Sequence, residues 1–193
     1  MIVIVDYGSG NLMGVKNALK RLGVDAIITS KPKDIRQAKR IILPGVGAFG
    51  FMMQSLRRMG IEDALKEAIK EGKPFLGICI GLQVLFEKSE ESPGIAGMGI
   101  FEGSIMKFHK GKVPQIGWNR IIPKDDPLFV EGYAYFVNSY FAIPDDKKIV
   151  AATTDYFGEF ASAIRDKNVT AVQFHPEKSG EYGLGLLRRW LSC

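Results

Sequence analysis

Residues 1–88 alternate between two periodicities, and this constrains the fold more than any other feature of the chain. The runs "MIVIVD", "VDAIIT", "RIILPG" and "PFLGIC" are short and apolar on successive residues. Strands of that kind are covered on both faces, as in parallel sheets. Between them, Leu12, Val15, Leu19 and Leu22 recur at helical spacing, and residues 49–58 and 61–71 carry the same pattern. Gly72 and Pro74 end the last of these. Asn11 and Ser179 stand where N-caps belong, ahead of the first helix and of the C-terminal "GEYGLGLLRRWL". "IGLQVLFEK" reads as a further helix after "PFLGIC". From about residue 99 the texture changes to short strands with turn signals, among them "IMKFHKGKV", "YAYFVNSYFAI", "FASAIRD" and "TAVQFHP". Strand–helix alternation followed by such strands predicts an α/β fold, with a central, mostly parallel but mixed sheet flanked by helices. No linker divides the chain, so a single domain over residues 1–193 is expected.

Composition excludes several function classes. Only two cysteines and two histidines are present, and no pair among them has ligand spacing, so no metal site is expected. No disulfide framework of the secreted type can form. The net charge of +5 is scattered, apart from "KFHKGK" at residues 107–112, and lacks the aromatic interleaving of a nucleic-acid surface. No apolar run reaches the roughly 20 residues of a membrane span. "MIVIVD" is too short for a signal-peptide core, and a cytoplasmic location is expected.

The chemistry concentrates at Gly77-Ile78-Cys79-Ile80-Gly81. Where a strand turns sharply into a helix, the turning residue is strained and small neighbours relieve the clash, the logic of the nucleophile elbow G-x-S-x-G. That turn lifts the Cys79 sulfur above the sheet, places it at a helix N-terminus and aims the Ile80 N–H at a developing oxyanion. A thiol nucleophile needs a base. His175 follows the last apolar strand, in "AVQFHPEKSG", and Pro176 ends the ladder there. Residues two apart in an extended segment face one way, so His175 and Glu177 are expected to project together. "LPGVG" would bring a second backbone donor. The same residues admit a thiol variant of the α/β-hydrolases, with Asp155 as its acid.

Together these pieces resemble the class I, triad-type glutamine amidotransferases, whose architecture is flavodoxin-like. "DYGSGN", "LPGVGAFG", "GICIGLQVLFEKSEESPG", "IGWN", "YFVNSY" and "FHPEKSG" stand in that family's order and span nearly the whole chain. The set is most similar to the branch comprising the glutaminase subunits of imidazole glycerol phosphate synthase, in histidine biosynthesis. The resemblance implies Cys79 as nucleophile, His175 as base and Glu177 as its orienting acid, with the N–H groups of Val46 and Ile80 meeting the oxyanion. It implies that Gly47, Gln83, Ser139 and Tyr140 hold glutamine. It places Asn11, Trp118, Tyr135 and Lys178 near a partner subunit, a (β/α)₈-barrel cyclase that receives ammonia, and it calls for no cofactor. Three departures stand out: Asn138 and Gln115 replace histidines common in the family, and Ile80 and Leu82 replace its usual leucine and methionine.

Overall fold

The computed structural model describes all 193 residues. The first half runs β1 (Ile2–Val5), α1 (Leu12–Arg21), β2 (Ala26–Thr29), α2 (Pro32–Gln37), β3 (Arg40–Gly45), α3 (Phe49–Arg58), α4 (Ile61–Lys70), β4 (Phe75–Cys79) and α5 (Ile80–Gln83). The second half runs β5 (Lys88–Ser89), β6 (Gly103–Lys107), β7 (Gln115–Pro123), β8 (Gly132–Asn138), β9 (Tyr140–Pro144), β10 (Val150–Asp155), β11 (Glu159–Asp166), β12 (Val169–Val172) and α6 (Gly180–Leu191). A short 3-10 turn, Pro176–Lys178, joins β12 to α6.

The strand order is β2-β1-β3-β4-β12-β11-β10-β7-β8, with β9 pairing β11 and β6, and β6 pairing β5. β2, β1, β3, β4 and β12 are mutually parallel. β12, β11, β10, β7 and β8 pair antiparallel in turn. The change of texture near residue 99 is thus the change from parallel to mainly antiparallel sheet. The chain steps from β1 to β2 in one direction and from β2 through β3 to β4 in the other. Right-handed crossovers therefore put α1 on one face and α2, α3 and α4 on the opposite face. The three packed together are α2, α3 and α4, whereas α1 meets the 3-10 turn that leads into α6. Ile61, Ala64, Leu65 and Ala68 show how the sequence builds this: one stripe of α4 at helical spacing is buried against the core.

Four local expectations differ from the structure. The helix expected over "IGLQVLFEK" lasts only from Ile80 to Gln83. The segment after it captures the carbonyls that would have continued the helix. Met98 donates to Val84, Ile100 to Leu85, and Gly97 to the Glu87 carbonyl. "YAYFVNSYFAI" is two strands, because the chain breaks at Ser139 and β9 leaves β7's partner for β6 and β11. Neither Asn11 nor Ser179 caps its helix with its side chain; both are drawn into the site described below. Helix α2 was not expected, although Pro32 at its first turn and buried Ile35 are its signals.

Glycines let α5 sit directly on the sheet. A Cβ on Gly81 would lie 1.9 Å from the Leu43 carbonyl oxygen of β3. One on Gly77 would lie 2.6 Å from the Gly81 oxygen, and one on Gly45 would lie 2.7 Å from the Gly81 nitrogen. Gly81→Ala must therefore displace backbone, and should cost about 3 kcal/mol or more in a denaturant titration. Gly23→Ala meets open space and carries only its positive-φ strain, so about 1 kcal/mol is expected there.

Candidate active site

In parallel sheets ligands bind beyond the carboxyl ends of the strands, and here four such ends converge. β1 leads to Tyr7 and Asn11, β3 to Val46 and Gly47, β4 ends on Cys79, and β12 leads to Gln173, His175 and Glu177. Register fixes the neighbours. Gly45 lies beside Cys79, and Val172 beside Ile78, so the chain leaving β12 passes next to the sulfur. Cys79 has φ 56° and ψ −110°, a conformation that L-residues rarely adopt, at the strand-to-helix turn expected from its glycines. Its residue is 4% exposed. The short α5 supplies little of a helix dipole, so the environment of the sulfur rests on side chains.

His175 Nδ1 lies 2.9 Å from Glu177 Oε1. This pairing was expected from extended backbone, but His175 alone is extended, and Glu177 comes round on the 3-10 turn. Asn11 Nδ2 donates to the same Glu177 oxygen at 3.1 Å. The Ser179 hydroxyl donates to the His175 carbonyl at 2.7 Å and accepts from the Tyr135 N–H at 2.9 Å. The His175 N–H donates to the Tyr135 carbonyl at 3.0 Å. A Cβ on Gly183 would meet the Pro176 oxygen at 1.8 Å, so α6 clamps the turn from behind. These contacts leave the imidazole one orientation, with Nε2 buried and making no hydrogen bond.

The electrostatics favour a charged pair. Burial pulls the His175 pKa down, but the Cys79 sulfur and Glu177 outweigh it and raise it from 6.5 to about 9. Burial likewise pushes Glu177 up, and its bond to His175 more than reverses this, leaving its pKa lowered.

A cavity of about 410 Å³ opens over Cys79 and His175, walled by Val46, Gly47, Ile80, Gln83, Ser139, Tyr140, Asn138 and Lys178. All the residues expected at the thiol and at the substrate are thus assembled, save that Glu177 lies behind the histidine. Hollows of about 560 and 690 Å³ elsewhere hold neither cysteine nor histidine. Val46 carries a complication: its N–H donates to the Tyr7 hydroxyl at 3.0 Å, and that hydroxyl donates to the Val46 carbonyl at 2.9 Å. Tyr7 so holds both peptides flanking Val46. No spacing or motif points to Tyr7, to Glu91 on the cavity wall, or to Gln173 against Cys79. Glu91 accepts from the Phe49 N–H at 2.6 Å across 42 residues of sequence, so only the fold brings it there.

Asp155, the alternative acid, instead accepts from Gly158 N–H at an exposed turn. His109 is exposed on the segment after β6. Trp118 and Tyr135 face each other across β7 and β8, with Lys178 Nζ 5.9 Å from the Tyr135 ring centre. Exposed Ile116, Trp118 and Tyr133 share that hairpin, whose Val137 and Asn138 reach the cavity. Asn11 is half-buried against Glu177 rather than spread on that hairpin. Gln115 and Asn138, the two amides that stand for histidines, are direct cross-strand partners, so this is one local change rather than two.

A thiol, a buried imidazole and a carboxylate thus stand together at the carboxyl ends of a parallel sheet. The family described as "Glutamine amidotransferase class-I" matches residues 3–191, and the chain belongs to it. A solved structure titled "Crystal structure of glutamine amidotransferase" shares the fold, with TM-score 0.81 at 23% identity, over 100% of this chain and 98% of that one. More particularly, the chain is similar to the imidazole glycerol phosphate synthase subunit HisH of Pyrococcus furiosus, at 50% identity over 98% of this chain and 97% of the relative. It is 48% identical to the same-named subunit of Methanothermobacter thermautotrophicus, over 99% of this chain and 98% of the relative.

The raised pKa has a sign that can be checked. Charged His175 contributes its stability fully below pH 6.5, and loses it as pH rises through about 9. Over that window it keeps a cationic group beside the Cys79 sulfur. In a Cys193→Ser background, iodoacetamide should alkylate Cys79 rapidly even at pH 6–7. His175→Ala should slow that reaction tenfold or more, because the cationic partner beside the sulfur is gone.

Proposed function

We propose that Cys79, His175 and Glu177 are the working triad of a glutaminase whose ammonia serves a second subunit. The observation that carries it is Cys79 at φ 56°, beside a buried imidazole whose Nδ1 is held by Glu177. Glutamine enters the cavity with its ammonium toward the Glu91 carboxylate. The buried, unpaired Gln83 Oε1 offers it an acceptor, and Gly47, Ser139 and Tyr140 wall the site. The Cys79 thiolate attacks the side-chain carboxamide carbon, and the oxyanion meets the Ile80 N–H. His175 gives its Nε2 proton to the amide nitrogen, the C–N bond breaks and ammonia leaves. Water then gives a proton to His175 and attacks the thioester, so that glutamate departs and the thiolate returns.

The relatives' name describes a synthase subunit, and the exposed Ile116, Trp118 and Tyr133 beside the cavity suit a docked protein. The partner of this reading is a (β/α)₈-barrel cyclase, with Trp118, Tyr135, Lys178 and Asn11 at or behind the junction. There ammonia enters the formation of imidazole glycerol phosphate and an aminoimidazole carboxamide ribonucleotide, in histidine biosynthesis. A closed passage preserves the free base, because ammonia released to water is mostly protonated and has no lone pair to attack with. No helix is long and apolar enough to cross a membrane, and a cytoplasmic location belongs to this reading.

Cys79→Ala, assembled with the cyclase, should lose glutamine-dependent synthesis while keeping synthesis from added ammonium salts. Undiminished glutamine hydrolysis in that variant would remove Cys79 from the chemistry. The bond between Val46 N–H and Tyr7 makes the isolated chain slow, because the second oxyanion donor must leave the tyrosine before it can act. Tyr7→Phe should raise the glutaminase kcat of the isolated chain several-fold, at little change in KM.

A further inference from the structure

The thiol is contacted by a group that the mechanism above does not use. Gln173 is wholly buried, on the chain leaving β12, and its Nε2 lies 3.6 Å from Cys79 Sγ. Which end of that amide faces the sulfur is decided two residues away. The Tyr140 carbonyl can only accept, and it takes hydrogen bonds from Gln83 Nε2 at 3.1 Å and Asn138 Nδ2 at 3.0 Å. This fixes the nitrogen end of Gln83, whose second N–H then meets Gln173 Oε1 at 3.0 Å. With its oxygen so engaged, Gln173 presents its N–H to sulfur. A backbone carbonyl thus orients two amides in series, and the series ends on the reacting atom.

We propose that Gln173 is a positioning residue for Cys79, donating a hydrogen bond that holds the sulfur on its productive side and favours the thiolate. An N–H aimed at sulfur stabilises the charged form more than the thiol. The need is local, since α5 is a single turn and offers little dipole. Gln173 also lies two residues before His175, so one stretch of backbone delivers both the base and this donor to the same sulfur. The amide complements the imidazole: His175 changes protonation during the reaction, whereas an amide cannot, and it keeps its donor on the sulfur at every step.

The proposal rests on Cys79 as nucleophile, and substrate-free alkylation separates the two claims. In the Cys193→Ser chain, iodoacetamide rates are measured against pH for the parent, Gln173→Met and Gln173→Asn. Methionine keeps the volume without the donor, while asparagine keeps a donor one methylene short. Gln173→Met should alkylate roughly three- to tenfold more slowly at pH 7, with its profile shifted upward by about half to one pH unit. In the glutaminase assay kcat should fall while KM holds. Gln173→Asn should fall between Gln173→Met and the parent, and reads the effect if methionine does not fold. Profiles that superimpose on the parent's in the folded variants would overturn the role of Gln173 and leave the triad standing. A Cys79→Ala chain that hydrolyses glutamine like the parent would overturn the nucleophile itself.

Discussion

The approach of Gly81 to the Leu43 carbonyl sets where every other group of the site can stand. With no side chain at position 81, the single turn of α5 rests on β3 and β4 instead of above them. That seat forces the strand-to-helix turn at Cys79 into positive φ. Backbone held in such a region costs roughly 1–3 kcal/mol and persists only where its surroundings over-determine it. Here they do: Gly45, Gly77 and Gly81 interlock on one side, and the apolar strand Phe75–Cys79 is buried along its whole length. The Cys79 thiol is consequently placed by packing.

The charged half of the site is held the same way. A buried ion pair is expensive unless its remaining donors and acceptors are met. Glu177 Oε1 accepts from both His175 and Asn11, and the histidine's backbone is tied to Tyr135 and Ser179. Residues that look like helix caps in the sequence therefore hold the His175–Glu177 pair, and their helices begin without side-chain caps. The β7–β8 hairpin is both the strut under the imidazole, through Tyr135, and the carrier of the exposed aromatic patch. A partner pressing on Trp118 would act on the backbone that carries His175.

Much of this was legible beforehand, for identifiable reasons. Continuous apolar strands alternating with helical stripes can only make a covered parallel sheet. The glycines around Cys79 mark a sharp turn, and in a chain with two histidines the one after the last apolar strand is the one that reaches the Cys79 cavity. What escaped was non-local. Tyr7, Glu91 and Gln173 are ordinary residues in their own stretches, and act through contacts across 39, 42 and 94 residues. The length of α5 escaped for the same reason, since its carbonyls were claimed by a segment that local periodicity does not see.

The sequence by itself determined the kind of sheet, the turn at Cys79 and the closeness of His175 to Glu177, because each depends on spacing within a few residues. The tertiary structure decided which hydrogen bonds those groups make. It turned Val46 toward Tyr7, put a donor rather than an acceptor against the sulfur, and brought Gln115 and Asn138 face to face. Such choices follow from strand order and register, which bring distant residues within bonding distance. A chain read along its length shows the chemistry available, and only its folded neighbours settle the orientation in which that chemistry is held.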